Sequence, residues 1–264
     1  MSKNILVVPD QHAHPEYSND RADYLARLIV DRKPDIVVNI GDAGDFPSLA
    51  SYDKGKRSYH GRSYLADVQS HLDFQDRVWS PVKRLKKKMP DRYFFIGNHE
   101  QRIDRVLDMS PELEGTVSYD DLLLKEYYNE VIPYSGNTPG TRIIEGVAFA
   151  HYFVSGVMGY SIGGMHPAYS LVTKGFQSAV QGHTHILDFA ERSNLEGGKI
   201  YGLVCGVFQD YYSPWAGDAN RLWWRGVTLL NNVENGQFDL ECISLTALKA
   251  AYENEVGYST ERAR

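Results

Sequence analysis

Residues 35–45 constrain the fold and the chemistry of this chain more than any other stretch, because apolar strand residues there run directly into carboxylates. The letters DIVVNI are typical of a buried β-strand, and Asp42 and Asp45 follow in the next loop. An open α/β sheet places its chemistry at the carboxyl ends of its strands. We therefore interpret Asp42 as a metal ligand, and as one that bridges two metal ions.

Four other apolar segments end in the same way, with side chains that are able to bind a metal ion. These segments lie at residues 4–10, 92–96, 146–150 and 178–182, and they deliver Asp10 and His12, Asn98 and His99, His151, and His183 and His185. Side chains alternate along an extended chain, so the two members of Asp10/His12 and of His183/His185 are expected to face one edge. Of the nine histidines in the chain, five lie at these strand ends, a regularity that random placement would not give.

Each of these motifs has an ordinary structural interpretation when it is taken alone. Asp10 and His12 suit a polar turn after a strand, and a single histidine such as His151 is usually structural. Arg102 suits an exposed helix as well as contact with a phosphate oxygen. It is the combination of five strand ends that predicts a site.

The ligand types indicate the metal and the reaction. Histidine, aspartate and asparagine without thiolates suit Mn²⁺, Fe or Zn²⁺ better than a structural zinc site, and we predict Mn²⁺, with Fe, Zn²⁺ or Ni²⁺ as alternatives. Two metals joined by one bridging carboxylate form the clamp used for phosphate ester hydrolysis. Such a pair lowers the pKa of a bridging water, so that hydroxide replaces a protein nucleophile.

Composition excludes several other classes of protein. The hydrophobic content of 42% and charged content of 23% are ordinary for a globular protein, and the net charge of −6 argues against a broad surface for nucleic acid. Two cysteines give neither a disulfide framework nor a cysteine-zinc site. The N-terminus shows no signal-peptide pattern, and no run approaches the roughly 18 apolar residues of a membrane helix. We expect a cytoplasmic protein, in the host cytoplasm if it is phage-encoded.

Helices are expected over residues 20–32, 65–85, 119–129 and 167–177, with Pro81 kinking or dividing the second of them. A strand is expected over 199–207 and a hairpin over 226–245, which turns at Asn235-Gly236. No repeat or linker interrupts the pattern. The simplest interpretation is one α/β domain over residues 1–264.

Two segments keep two interpretations each. The basic run at 83–88 is typical of a solvated helix end, and contact with nucleic acid is the alternative. The segment 211–224 is rich in tyrosine and tryptophan. It suits packing between a sheet and a loop, and it equally suits a wall of a substrate cleft or an oligomer contact.

The order of the motifs resembles the calcineurin-like metallophosphoesterase superfamily, and in particular its small bacterial or phage-type members. The matching motifs span residues 10 to 185, about two-thirds of the chain: Asp10-x-His12, Gly41-Asp42-x-x-Asp45, Gly97-Asn98-His99-Glu100, His151 and Gly182-His183-x-His185. The resemblance implies a four-layer sandwich of two facing mixed β-sheets flanked by α-helices, which some schemes class as α+β. Within that fold, residues 199–245 are expected to supply the carboxyl-terminal strands and hairpin of the second sheet.

The resemblance also implies a role for each motif residue. The first metal would be held by Asp10, His12, Asp42 and His185, and the second by Asp42, Asn98, His151 and His183. His99 would protonate the leaving oxygen or stabilise the transition state. Asp45 would hydrogen-bond His99 and fix its orientation. Apart from the resemblance, we expect Arg102, which lies just beyond the third motif, to contact the substrate together with Asn98.

One position departs from the family pattern. The histidine of the fourth motif is often followed by glycine in the family, whereas Tyr152 follows His151 here. His166 is therefore an alternative ligand, although it lies among turn residues. His14 is an alternative to His12, although the Asp-x-His spacing favours His12.

The implied activity is hydrolysis of a phosphate ester. The basic run and the many aromatic residues slightly favour a phosphodiester in DNA, RNA or a nucleotide, because bases stack on aromatic rings. The negative net charge points the other way, so a phosphomonoester of a nucleotide or small molecule is the alternative. A metal-binding module without catalysis is a third hypothesis, and the sequence does not indicate the oligomeric state.

Overall fold

The computed structural model describes residues 2–85, 88–193, 195 and 197–261, with backbone only from residue 254 on. The strands in this part of the chain are β1 (Lys3–Val8), β2 (Ile36–Asn39), β3 (Asp91–Phe95), β4 (Glu130–Ile132), β5 (Arg142–Ile144), β6 (Val147–Phe149), β7 (Val154–Ser155), β8 (Tyr160–Ser161), β9 (Ala179–Gln181), β10 (Leu187–Ser193), β11 (Lys199–Cys205), β12 (Gly226–Glu234) and β13 (Gln237–Ser244). The α-helices are α1 (Asp20–Arg32), α2 (Tyr64–Leu85), α3 (Arg102–Met109), α4 (Leu124–Tyr127), α5 (Pro167–Gly175) and α6 (Leu245–Glu261).

The strands form two mixed sheets. The first has the order β13-β12-β1-β2-β3-β4, in which β1 to β4 run parallel and β12 and β13 are antiparallel. The second has the order β10-β11-β9-β6-β5, with parallel pairs only at β11–β9 and β9–β6. Strands β7 and β8 form a separate hairpin.

The alternation of side chains along β1 explains why the two sheets face each other. Ile5 and Val7 belong to the apolar cluster between the sheets, together with residues of β2, β6, β9 and β11. Leu6 and Val8 point the opposite way, into the cluster that contains residues of α1 and α2. A strand that is buried on both faces needs a continuous apolar run, which is what residues 5–8 provide.

The helices complete four layers. Residues of α1, α2, α3 and α6 pack in the cluster outside the first sheet, and α5 packs outside the second sheet against β9 and β11. Helix α1 begins with Asp20 and Asp23 in its first turn and ends where Lys33 takes a left-handed φ of 49°. Pro34 follows and leads into β2. The predicted four-layer sandwich is thereby confirmed.

Residues 199–245 are divided between the sheets, which makes the prediction for this segment wrong in part. Strand β11 lies in the second sheet as expected, but the hairpin of β12 and β13 extends the first sheet by pairing with β1. The Asn235-Gly236 turn fixes the pairing within the hairpin. It carries no information about the sheet edge that the hairpin joins.

Two helix predictions also need correction. The helix expected at 119–129 is a 3-10 turn over Tyr119–Leu122 and a short α4, interrupted by Leu123 at a φ of +48°. Helix α2 contains Pro81 and runs through it without a division.

Lys86 and Lys87 of the basic run lie outside the described residues. Among the described helices, none combines the length and the hydropathy that crossing a bilayer requires.

Candidate metal centre

The seven side chains predicted to bind metal lie together where strands of both sheets end. Asp10 and His12 follow β1, Asp42 follows β2 and Asn98 follows β3, all from the first sheet. His151 follows β6, and His183 and His185 follow β9, from the second sheet. Five of the seven are buried, with Asp10 and His151 at 0% exposure and Asp42 at 2%, and Asn98 and His183 are half-buried. Two sheets whose strands end at one edge thus supply one cluster.

One part of the cluster contains Asp10, His12 and His185, whose ligand atoms all lie within 4.8 Å of one another. Nε2 of His12 is 3.1 Å from Nε2 of His185, and the latter is 3.1 Å from Oδ2 of Asp10. Two imidazole nitrogens this close leave room for one hydrogen or one shared cation. The arrangement suits a metal ion bound by two nitrogens and a carboxylate.

The other part contains Asp42, His151 and His183, again within 4.8 Å. Nδ1 of His151 lies 3.0 Å from the carbonyl oxygen of Ile40, and because a carbonyl only accepts, Nδ1 donates. Nε2 of His151 therefore faces the cluster, 3.0 Å from Oδ1 of Asn98 and 3.3 Å from Oδ2 of Asp42. A backbone carbonyl that orients the second nitrogen is typical of metal-binding histidines.

Asp42 lies between the two parts. It falls with His151 and His183 in one candidate group and with His12 and His99 in another. Its Oδ1 also accepts a hydrogen bond of 2.8 Å from the backbone N–H of His99. This position is the one that a bridging ligand requires.

Several features test whether the residues present fit metal ions. The buried Oδ1 of Asp10 has no hydrogen-bond partner in the described part of the chain. A Cβ at Gly182 would lie 2.4 Å from that oxygen, and one at Gly97 would lie 2.2 Å from Oδ1 of Asp42, so only glycine admits these carboxylates. Oxygen and nitrogen donors without sulfur suit Mn²⁺, Fe or Zn²⁺. The residues fit two divalent cations.

The ionisation of the cluster agrees with this fit. Burial alone would raise the pKa of Asp42, but the charge of His151 and then of His99 brings that pKa well below its usual range. Burial and the neighbouring His99 lower the pKa of His12 to about 4, and burial and His151 do the same for His183. Burial would lower the pKa of His151, but Asp42 and Asp10 raise it to about 9, so His151 would release a proton on binding a metal ion. Asp42, His12 and His183 already have the form that metal binding requires.

Four of the ligands have a left-handed backbone, which the sequence did not predict. The φ angles are 46° at His12, 51° at Asp42, 68° at His183 and 62° at His185. The members of Asp10/His12 and of His183/His185 do lie at one edge, but the extended chain that was predicted to place them there is wrong. The chain turns at these residues to present them. Each such backbone costs on the order of 1–3 kcal/mol, and strain of this kind concentrates at functional sites.

Glu100 is a buried residue to which sequence reasoning assigned no role. Its carboxylate accepts hydrogen bonds from the backbone N–H groups of Asp42 (2.9 Å), Ala43 (2.8 Å), Gly44 (3.2 Å) and Gly97 (2.9 Å). It ties the loop after β2 to the loop after β3 and so holds Asp42 in place. An acid directly after Asn98-His99, at a strand end, was the available signal.

His99 and Asp45 form the pair that the family resemblance implied. Nδ1 of His99 lies 3.0 Å from Oδ1 and 2.8 Å from the carbonyl oxygen of Asp45. Both atoms are acceptors, so Nδ1 carries the hydrogen, and Nε2 accepts a hydrogen bond from Nη2 of Arg102. Burial alone would raise the pKa of Asp45, but the nearby ring of His12, 3.6 Å away, and the hydrogen bond from His99 bring that pKa well below its usual range.

Arg102 occupies a different position from the exposed one that its spacing allowed. It is buried, and its guanidinium donates to the carbonyl oxygens of Asp45 (2.5 Å) and Phe46 (3.2 Å) and to Oη of Tyr52 (3.2 Å). Nη2 also lies 2.9 Å from Nε2 of His99. Arg102 thus supports the loop that carries Asp45 and places positive charge beside His99.

The two alternative ligands lie outside these groups. His166 is exposed and precedes α5, whereas His151 lies within the cluster. His14 approaches Oδ2 of Asp45 at 3.7 Å but belongs to none of the candidate groups among the described residues. The spacing argument for His12 and the strand-end argument for His151 agree with this geometry.

Two aromatic residues from 211–224 contact the ligands. Oη of Tyr211 donates a 2.8 Å hydrogen bond to the carbonyl oxygen of His12. The indole of Trp223 packs edge-on against the ring of His185, with centroids 4.4 Å apart. The sequence could not predict these contacts, because nearly 200 residues separate Tyr211 from His12 and no short-range pattern joins them.

Comparison with known proteins gives distant structural similarity. No protein-family model matches the chain, and no curated protein matches it. Among solved structures, a phosphoesterase of E. coli named Yfce is 13% identical, with a TM-score of 0.40 over 92% of this chain and 99% of that one. A dimetal phosphatase from Danio rerio is 10% identical, with a TM-score of 0.41 over 92% and 99%. A Thermus thermophilus protein is 10% identical, with a TM-score of 0.38 over 93% and 100%.

Proposed function

We propose that this chain is a metal-dependent phosphoesterase of the calcineurin-like type, which hydrolyses a phosphate ester at a dinuclear centre. The observation that carries the proposal is the buried position of Asp42 between two sets of ligands. Asp10, His12 and His185 lie on one side of it, and Asn98, His151 and His183 lie on the other. A single structural metal would require only one of these sets.

Two divalent ions, Mn²⁺ in our proposal, would polarise the phosphoryl oxygens and lower the pKa of water when bound. Asp10, His12, Asp42 and His185 would hold one ion, and Asp42, Asn98, His151 and His183 would hold the other. The carboxylates of Asp10 and Asp42 would offset about half of the charge of the two ions, and Asn98 also offers an amide group to the substrate.

His99 is the proposed general acid. Because Asp45 accepts the hydrogen on Nδ1, Nε2 is the atom that exchanges a proton with the leaving oxygen. Asp45 fixes the ring orientation, and Arg102 holds positive charge 2.9 Å from the same nitrogen. Because a guanidinium only donates, this contact has to open before Nε2 can carry the proton, and Nη2 of Arg102 would then be available to negative charge on the substrate.

The substrate preference is proposed to be slightly in favour of a phosphodiester, in a nucleotide or nucleic acid. Exposed aromatic residues close to the centre support this choice, since they suit bases. The alternative is a phosphomonoester of a nucleotide or small molecule. A cytoplasmic location and a single domain stay predictions from the sequence.

The test is hydrolysis by protein that has been stripped of metal and then reloaded with Mn²⁺. A paired aryl phosphodiester and aryl phosphomonoester would be compared, with the stripped protein as control and the bound metal counted by elemental analysis. We expect two ions per chain, activity only after reloading, and faster cleavage of the diester. A preference for the monoester would reverse the substrate proposal. Two bound ions without cleavage of either ester would support a non-catalytic module instead.

A further inference from the structure

A cleft of about 710 Å³ opens beside the metal centre. We define the aromatic cleft by four of its lining residues, Tyr17, Tyr52, Tyr211 and Trp215. Asp45 lines it as well, and the carboxylate of Asp45 also contacts His99. The cleft therefore extends to the carboxylate that contacts the proposed general acid.

Direct contacts join the walls of the cleft to the centre. Tyr211 donates to the carbonyl oxygen of His12, and Tyr52 accepts a hydrogen bond from Arg102, which contacts His99. The ring of Trp215 lies 5.9 Å from that of Trp223, which packs on His185. A group held in the cleft would thus lie at a fixed position relative to the phosphate.

Two of the aromatic rings are largely exposed, and the ring of Tyr52 also has the cations of Lys56 and Arg102 over it, each 5.8 Å from its centroid. Trp215 is 68% exposed and Tyr52 is 59% exposed, although both are large rings beside a buried site. Tyr17 and Tyr211 stack on each other with centroids 3.9 Å apart and planes 6° apart, which makes a rigid flat wall. Rigid rings with open faces favour another flat ring, and stacking on a base contributes about 1–3 kcal/mol.

The charges of the cleft do not favour a long polyanion. Lys56 and Arg62 both pair with Asp53, at 3.1 Å and 2.8 Å, and Arg102 donates to backbone carbonyls. Glu16 and Asp67 add further carboxylates to the lining. Binding of a nucleic acid backbone requires cations that are available to phosphates. The lining offers instead flat apolar faces with balanced charge, which suits an uncharged aromatic group.

We propose that the aromatic cleft binds the nucleoside of a nucleotide ester, with its base stacked against Trp215 and Tyr52. A cleft of this volume has room for a base and its sugar, whereas the single phosphate would lie at the metal centre. Recognition would depend on the base and only weakly on charge. The use of the cleft in catalysis rests on the proposed function, but the binding of a nucleoside does not.

Equilibrium dialysis of radiolabelled adenosine against the metal-free chain of 264 residues tests the binding directly. We expect saturable binding that changes less than about twofold between low and high salt, because no ion pair is formed. Ribose should not compete. Trp215→Ala and Tyr52→Ala should each weaken adenosine binding by about tenfold or more. Tyr160→Ala, which removes an equally exposed ring outside the cleft, is the matched control and should bind as the parent does.

Absence of saturable adenosine binding would overturn the proposal, and so would an unchanged affinity in both cleft variants. A single-stranded oligonucleotide that binds far more tightly than adenosine and is released by salt would also overturn it, in favour of a nucleic acid surface. Binding of adenosine by a protein that cleaves no ester would leave the cleft proposal intact and refute the proposed function. Cleavage of the aryl diester without adenosine binding would support the proposed function and overturn the cleft proposal.

Discussion

The metal centre and the aromatic cleft lie side by side but are built in opposite ways. The centre consists of strand-end residues that are almost entirely buried, such as Asp10 at 0% exposure. The cleft consists of loop and turn residues, and Trp215 leaves 68% of its surface exposed. The Asp45 loop belongs to both regions, and Arg102 and Tyr211 also line the cleft while contacting residues of the centre.

This difference assigns separate tasks to the two regions. Side chains that must act on one atom need fixed positions, and the ends of paired strands provide them. Side chains that select a ligand need accessible faces, which loops on a rigid scaffold provide. Changes in the centre should therefore alter turnover and metal content, whereas changes in the cleft should alter affinity.

The largest effect is expected for Asp42→Asn, which would remove the bridging charge. Turnover should fall by about 10³-fold or more, the order found when a strong electrostatic contact to a transition state is lost. Metal content should drop below two ions per chain in elemental analysis. Asparagine tolerates the left-handed backbone of Asp42, so the variant should stay folded. Asp218→Asn, at an exposed carboxylate that pairs with the exposed Arg221, is the control. Two ions in the Asp42 variant would refute the bridging role.

His99→Ala should separate proton transfer from metal binding within the centre. We expect turnover to fall roughly 10²–10⁴-fold, the usual contribution of a general acid, with both metals retained. The loss should shrink for an aryl ester whose leaving group needs no proton. His60→Ala, in the exposed part of the cleft lining, should change turnover little. Wild-type turnover in the His99 variant would show that another group is the acid.

A third prediction concerns whether water reaches the side chain of His71, in the region beneath the cleft. His71 on α2 is fully buried near Phe46, and burial lowers its pKa to about 4. The unfolded chain takes up a proton near pH 6.5 while the folded chain does not, so folding stability is complete above pH 6.5 and falls below it. The contribution lost between pH 6.5 and pH 4 is about 3 kcal/mol.

Chemical denaturation of the parent and of His71→Leu across this pH range measures that contribution. The stability difference between the two proteins should shift in favour of the variant as the pH falls. A difference that does not change with pH would show that water reaches His71 and that the region beneath the cleft is hydrated.

The smallest effect is expected for Tyr211→Phe, which would cut one link between the two regions. Loss of the hydrogen bond to the carbonyl oxygen of His12 removes about 1 kcal/mol. Turnover should fall by less than about tenfold, while adenosine affinity should stay the same because the ring remains. Tyr212→Phe is the control, since that side chain is exposed. A loss of affinity with unchanged turnover would mean that the hydroxyl serves the ligand.

The same contrast explains what the sequence could predict. Asp10 and Asp42 were identifiable because an apolar strand precedes each of them, and a strand end is a local pattern. The partner of Tyr211 and the joining of the β12–β13 hairpin to β1 are long-range choices that no local pattern determines. Glu100 is an intermediate case. The sequence shows an acid just after β3, but it does not show the four backbone N–H groups that this carboxylate binds.

The left-handed backbone at His12, Asp42, His183 and His185 has a consequence for how these positions evolve. These positions favour glycine or asparagine for stability alone, so selection for a stable fold and selection for catalysis oppose each other there. A lineage freed from the need for activity would gain stability by losing ligands at these positions first. After such a loss of activity, we expect related proteins that keep the sandwich fold but have glycine at these four positions.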